Sequence, residues 1–152
     1  MKSRLLGFLV RVTLVHSITY IIFGVLFLKV INLYPEYYSN PAVSAYIRPT
    51  NDPILTFAPL VQIIRGIIIA LGLYPFRKKL INNKYGWALL WGILVALQVL
   101  GSPNGAIENL IYTKLPLWFT LLNTPEVILQ MLVFSVLIFA WEVRIESKIK
   151  RI

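Results

Sequence analysis

Four long apolar runs divide this 152-residue chain, and short clusters of polar residues and prolines separate them. The runs cover about residues 12–31, 53–75, 85–101 and 125–143. Each is near the roughly 20 residues that an α-helix needs to cross a ~30 Å hydrocarbon core. The runs lack the polar face that a helix of a soluble protein presents to water. The pattern predicts an all-α integral membrane protein, with residues 1–152 forming one domain built as a bundle of four transmembrane helices.

Prolines and capping residues predict where these helices begin. Asp52 followed by Pro53 is typical of an N-cap and a first helical residue, and so is Thr124 followed by Pro125. Residues 104–123 are apolar but interrupted by Pro116. That segment predicts an interfacial or re-entrant helix around residues 106–114, on the side of the membrane opposite the termini.

The positions of the 15 Lys and Arg residues predict the orientation of the chain. With these boundaries, three of them lie on the side opposite the termini, Arg65 lies within the second run, and the other eleven lie on the side of the termini. The positive-inside rule then places both termini and the short middle loop in the cytoplasm, with the protein in the cell (inner) membrane. The net charge of +9 therefore indicates contact with anionic membrane lipids and does not indicate nucleic-acid binding.

The amino-acid composition excludes several kinds of functional site. The chain has no cysteine, one histidine and six acidic residues, so a Cys-based or His-rich metal site is excluded and no cofactor is expected. Phosphate-binding loops and hydrolase motifs are missing from the sequence. The sequence assigns no catalytic residue. These absences disfavour an enzyme, although Glu108 or Glu126 acting on a lipid headgroup remains a third alternative.

Arg65 is the most informative residue. It lies about twelve residues into the second run, or roughly 18 Å along the helix, close to the middle of the membrane. An arginine there costs at least about 2.5–3.5 kcal/mol, so it needs a polar or charged partner. Glu126 and Glu108, on the outer side, are the candidate carboxylates. Gln62 is one turn away on the same helix face, and Gln98 is expected at a similar depth.

The other runs contribute further polar residues at helical spacing. His16 and Tyr20 share one face of the first run, and Gln130 lies one turn deeper than Glu126 on the fourth. The predicted site is therefore a polar interior open to the outside, formed by Arg65, Glu126, Glu108, Gln62, Gln98, Gln130, His16 and Tyr20. The alternative interpretation is structural: an ion pair that fixes helix register, with glutamines bonded between helices.

Two functions are consistent with this pattern. The first is that the polar site binds or passes a small solute, an ion or a lipid, with a homo-oligomer needed for any pathway, because four short helices enclose little volume. The second is a structural or accessory role beside a partner protein in a larger membrane complex.

Overall fold

The computed structural model describes residues 2–30, 39–46, 48–49, 51–100, 112–114 and 116–150. Of these residues 88% are helical, and no β-strand occurs among them. Three helical segments are long and apolar enough to span a membrane: Arg4–Val30, Pro53–Ile81 and Leu117–Ile149. The predicted all-helical class is confirmed, and the three segments indicate a membrane protein.

The first segment is one continuous helix. Helix α1 (Lys2–Val25) begins about ten residues before the first apolar run and continues into a π-helical stretch, Leu26–Val30. A four-residue helix, α2 (Pro41–Ser44), follows, and the Asn40 side chain caps it by accepting a hydrogen bond from the backbone of Ala42.

The second segment begins at Pro53 and passes through a proline. Asp52 Oδ1 accepts a hydrogen bond from the Ile54 backbone at 2.9 Å, and a 3-10 turn (Pro53–Phe57) leads into α3 (Ala58–Leu73). The sequence predicts an end at Pro75, but a 3-10 turn (Tyr74–Phe76) connects α3 directly to α4 (Arg77–Ile81). Proline is tolerated there because the first positions of a new helical turn need no N–H donor.

The third apolar run forms a shorter helix. Helix α5 (Gly86–Val95) has ten residues, and the π-helical stretch Ala96–Leu100 adds five. These 15 residues extend roughly 22 Å, less than the ~30 Å of a bilayer core. This length separates the run from the three segments that can span a membrane.

The last helix is longer than its sequence predicts. Helix α6 (Leu117–Ile149) begins eight residues before Pro125 and contains that proline. The Thr124 hydroxyl donates to the Thr120 carbonyl at 2.7 Å, so the turn before Pro125 keeps helical geometry. The helix begins directly after Pro116, whose backbone is extended. The interfacial helix predicted near residues 106–114 lies largely outside the described residues.

Helix α1 packs against both α3 and α6, while α5 packs against α6. The buried face of α3 consists of Gln62, Gly66 and Ala70, at four-residue spacing. A Cβ on Gly66 would lie 2.9 Å from Thr13 Cα, so α1 and α3 approach at backbone distance. The core comprises Phe8, Val12, Val15, Ala70, Leu90, Leu94, Met131, Phe134 and Ile138.

Candidate functional site

The interface of α1 and α3 holds a buried polar pair. His16 Nε2 and Gln62 Oε1 are 3.1 Å apart, and both side chains are buried. The close approach at Gly66, one turn along α3, brings Gln62 within reach of α1. The amide oxygen can only accept, so the His16 tautomer that makes this bond carries its proton on Nε2.

The other side of His16 faces α6. Its ring meets the ring of Phe134 edge-on, with centroids 5.9 Å apart. Within the described part of the chain, His16 Nδ1 and Gln130 Nε2 make no hydrogen bond. Gln130 precedes Phe134 by one helical turn on α6. Buried polar atoms normally find a hydrogen-bond partner, so these two atoms are among the exceptions in the described residues.

Arg65 belongs to a different face of α3 from Gln62. Its side chain is exposed on the protein surface, and Nη2 donates to Gln98 Oε1 on the π-helical end of α5 at 2.6 Å. The sequence predicts Gln62 and Arg65 on one polar stripe. In the structure they bond to different helices, because only Gln62 falls on the buried face with Gly66 and Ala70.

The remaining predicted residues lie at the edges of this region. Tyr20 is half-buried on α1, one turn beyond His16, and Glu126 is half-buried in α6. Glu108 lies outside the described residues. The pairing of Arg65 with Glu126 or Glu108 therefore stays a prediction, and the observed partner of Arg65 is the Gln98 amide.

A charge network at the other end of the helices was not predicted. The two carboxylate oxygens of Glu142 bind two guanidinium groups, with Arg11 Nε on Oε1 and Arg77 Nε on Oε2, each at 2.5 Å. Arg77 also reaches Glu146 at 3.1 Å. Glu142 is only 1% exposed. The network therefore ties α1, α4 and α6 together through a fully bonded buried carboxylate.

The sequence contains a weak signal for this network. Glu142 and Glu146 are four residues apart, so they share one face of a helix next to the basic tail. The pairing of Arg11 and Arg77 with Glu142 is not apparent in the sequence, since residues 11 and 142 are far apart along the chain. An acidic residue at the C-terminal end of an apolar run is the feature that identifies it.

A groove lies beside the Arg65–Gln98 pair. It has a volume of about 760 Å³ and runs between α3–α4 on one side and α5 on the other. Gln98 lies at one end, and Lys79 and Asn83 lie at the other. Its walls are otherwise apolar. Within the described residues, no three histidine or acidic side chains come together as a metal site requires.

Comparison with known proteins identifies no relative: the chain matches no family model, no curated protein and no solved structure.

Proposed function

We propose that this chain forms a four-helix bundle in the cell (inner) membrane, with both termini in the cytoplasm. Three long apolar helices support insertion, and eleven basic residues on the side of the termini against three on the opposite side support the orientation. In this arrangement α5 and the π-helical stretch that continues it form the fourth helix, and their 15 residues reach from the cytoplasmic boundary to about the depth of Arg65.

We further propose that the protein binds a small anionic solute, or the anionic group of a lipid, at a polar site centred on Arg65 and open to the outside. The exposed Arg65 side chain carries this proposal. It lies in the middle of a 29-residue apolar segment, and its bond to Gln98 leaves its positive charge uncompensated by that partner. A charge at this depth is costly and usually marks a functional site.

The roles of the neighbouring residues follow from their positions. Gln98 orients the guanidinium group of Arg65, whose other N–H groups can clamp a carboxylate or phosphate. Glu126 and Glu108 act as competing anions that a ligand displaces. His16 and Gln62 hold α1 against α3 below the site, with Gln130 and Tyr20 lining the interior.

Native mass spectrometry of the full chain, purified alone in mild detergent, tests the proposal, with inorganic phosphate as the added probe. The wild type should retain a co-purified anionic molecule or bind phosphate. Arg65→Leu should lose it while remaining folded and monodisperse, and Arg65→Lys should retain part of it. Arg144→Leu, the same substitution at an exposed position near the end of α6, serves as the matched control.

Other outcomes favour other functions. If the wild type carries no bound molecule and Arg65→Leu fails to fold, the structural interpretation is favoured, in which Arg65 belongs to an ion pair that fixes helix register. A wild-type protein that is unstable and carries no bound molecule would instead favour the role of an accessory subunit that needs a partner membrane protein. A defined oligomer carrying the ligand would favour passage across the membrane over binding alone.

A further inference from the structure

The groove between α3 and α5 is a product of how the helices pair. Helix α3 packs tightly on α1, and α5 packs on α6 and α4. The space left between α3 and α5 is bridged at one end by the bond from Arg65 to Gln98. Its volume of about 760 Å³ falls within the roughly 300–1,000 Å³ typical of small-molecule sites.

The walls of this groove suit a hydrocarbon chain. Ile69 and Leu73 line one side, and Leu90, Leu94 and Leu97 line the other. Gly72 recesses the wall, since a Cβ there would meet no atom within 4 Å. The lining residues occupy about 15 Å along α3 and α4, from Ile69 to Lys79, at 1.5 Å per residue. The groove is therefore elongated along the helix axis.

The end near α4 carries excess positive charge. Arg77 is neutralised by Glu142 and Glu146. In contrast, Lys78, Lys79 and Lys84 form no salt bridge within the described part of the chain, and all three side chains are exposed. Lys79 and Asn83 lie at the mouth of the groove itself. An apolar channel that ends at an uncompensated lysine matches an amphiphile with an anionic headgroup.

We infer that this groove is a binding site for one anionic glycerophospholipid, with its phosphate at Lys79 and Asn83 and an acyl chain along the groove towards Gln98. The inference requires membrane insertion but does not depend on a ligand at Arg65. The lipid enters from the leaflet at the basic end of the helices, whereas the proposed Arg65 site opens to the opposite side.

Lipid titration followed by native mass spectrometry tests the inference. Full-length protein in mild detergent is titrated with phosphatidylglycerol and, in parallel, with phosphatidylcholine carrying the same acyl chains. The first phosphatidylglycerol should bind more tightly than the first phosphatidylcholine. Lys79→Gln should weaken phosphatidylglycerol binding by about five-fold, as expected for loss of one lysine beside an anionic group, and should leave phosphatidylcholine unchanged.

Matched variants distinguish lipid binding in the groove from a general attraction of anionic lipid to the positive charge of the protein. Lys150→Gln removes the same charge from the exposed end of α6 and should have no effect. Gly72→Phe fills the groove and should abolish the first binding event for both lipids. Ile93→Trp fills the groove from the opposite wall, so it provides the same readout if Gly72→Phe does not fold.

Three results would overturn the inference: equal affinity for the two lipids, equal losses in Lys79→Gln and Lys150→Gln, or unchanged lipid binding in folded Gly72→Phe and Ile93→Trp. Displacement of phosphatidylglycerol by millimolar glycerol phosphate, together with binding that does not depend on the acyl chain, would also overturn it, since these results would identify a free phosphate as the ligand. Arg65→Leu should keep the preference for phosphatidylglycerol. A failure of the proposed anion site at Arg65 is therefore distinguishable from a failure of the proposed lipid site in the groove.

Discussion

Gly66 and Gly72 belong to the same helix but have opposite surroundings. A Cβ on Gly66 would press against Thr13 of α1, whereas a Cβ on Gly72 would meet no atom within 4 Å. Gly66→Ala should therefore destabilise the protein by about 1–3 kcal/mol, the usual cost of overpacking. Gly72→Ala should be neutral or stabilising by up to about 1 kcal/mol, because alanine favours helix more than glycine does.

Unfolding of the two variants by SDS in mixed micelles measures this difference. Equal stability of Gly66→Ala and Gly72→Ala would show that α1 and α3 do not pack at backbone distance. Thr13→Gly in the Gly66→Ala background provides a further control: it removes the two side-chain contacts of the new methyl group but keeps the contact with the Thr13 Cα, so it should restore only part of the lost stability.

Asp52 lies just before the second spanning segment. Its pKa is lowered, first by the hydrogen bond from the Ile54 backbone and then by the hydrogen bond from Arg48. A lowered folded-state pKa means that Asp52 stabilises the folded protein above its unfolded value near 3.9. That contribution is lost as the pH falls through the lower folded-state pKa.

The chain has one aspartate, so selective ¹³C labelling of aspartate gives a single carboxyl signal for an NMR pH titration. The midpoint should lie below about 3.9. Arg48→Gln should raise it part of the way, because the backbone bond to Ile54 remains. A wild-type midpoint at or above the usual value would contradict the capping role.

Single residues differ in how far the sequence reveals them. Asp52 and Pro53 indicate a helix start because aspartate is a common N-cap and proline is common at the first helical position, and the helix begins there. Arg65 is conspicuous because charge is rare in apolar runs. The sequence indicates only that Arg65 and Gln98 lie at a similar depth in the membrane. It does not reveal that they bond, because the order of helices around a bundle cannot be read from local sequence. Glu142 is informative only beside Arg11 and Arg77, and that proximity exists only in the folded protein.

At the scale of helices, the Glu142 network joins α1, α4 and α6. Replacing Glu142 with glutamine leaves the partly buried Arg11 and Arg77 without their shared partner. Glu142→Gln should therefore cost about 3–5 kcal/mol, as for other broken buried pairs. Glu146 makes one bond and its side chain is 20% exposed, so Glu146→Gln should cost less than about 1 kcal/mol.

SDS titration of both variants gives the comparison. Similar losses would mean that the network is no stronger than a surface ion pair. A double variant, Glu142→Gln with Arg11→Gln, should be less destabilised than the sum of the two single variants, since both single changes break the same bond between Arg11 and Glu142.

Prolines explain where the predicted helix ends differ from the observed ones. A proline breaks the middle of a helix but is accepted in a first turn. Pro75 falls in such a turn, so the second segment continues to Ile81. Pro125 lies inside α6, after a turn held by the bond from Thr124 to Thr120. The sequence alone does not show whether a helix ends at a proline or continues through it, because packing against neighbouring helices holds the chain on either side of the proline.

At the scale of the molecule, orientation can be measured cleanly because the chain has no cysteine. Single cysteines at Ser44, Asn82 and Ser147 occupy exposed positions on three different segments. With both termini in the cytoplasm, a membrane-impermeant maleimide should label Ser44→Cys in intact cells. It should label Asn82→Cys and Ser147→Cys only after permeabilisation.

The reverse labelling pattern would invert the proposed orientation and place the opening at Arg65 on the cytoplasmic side. Labelling of Asn82→Cys and Ser147→Cys on opposite sides would instead show that the chain crosses the membrane an odd number of times between them. Either result leaves the internal packing of the helices unchanged.

The Glu142 network also has a consequence for biogenesis. Its longest link joins residues 131 positions apart, so the ribosome has made α1 and α4 long before Glu142 emerges. Until then Arg11 and Arg77 lack their carboxylate, and water or lipid phosphates must satisfy their guanidinium groups. The network therefore forms only once α6 has been made, and a nascent chain that stalls before α6 keeps two arginines without their carboxylate.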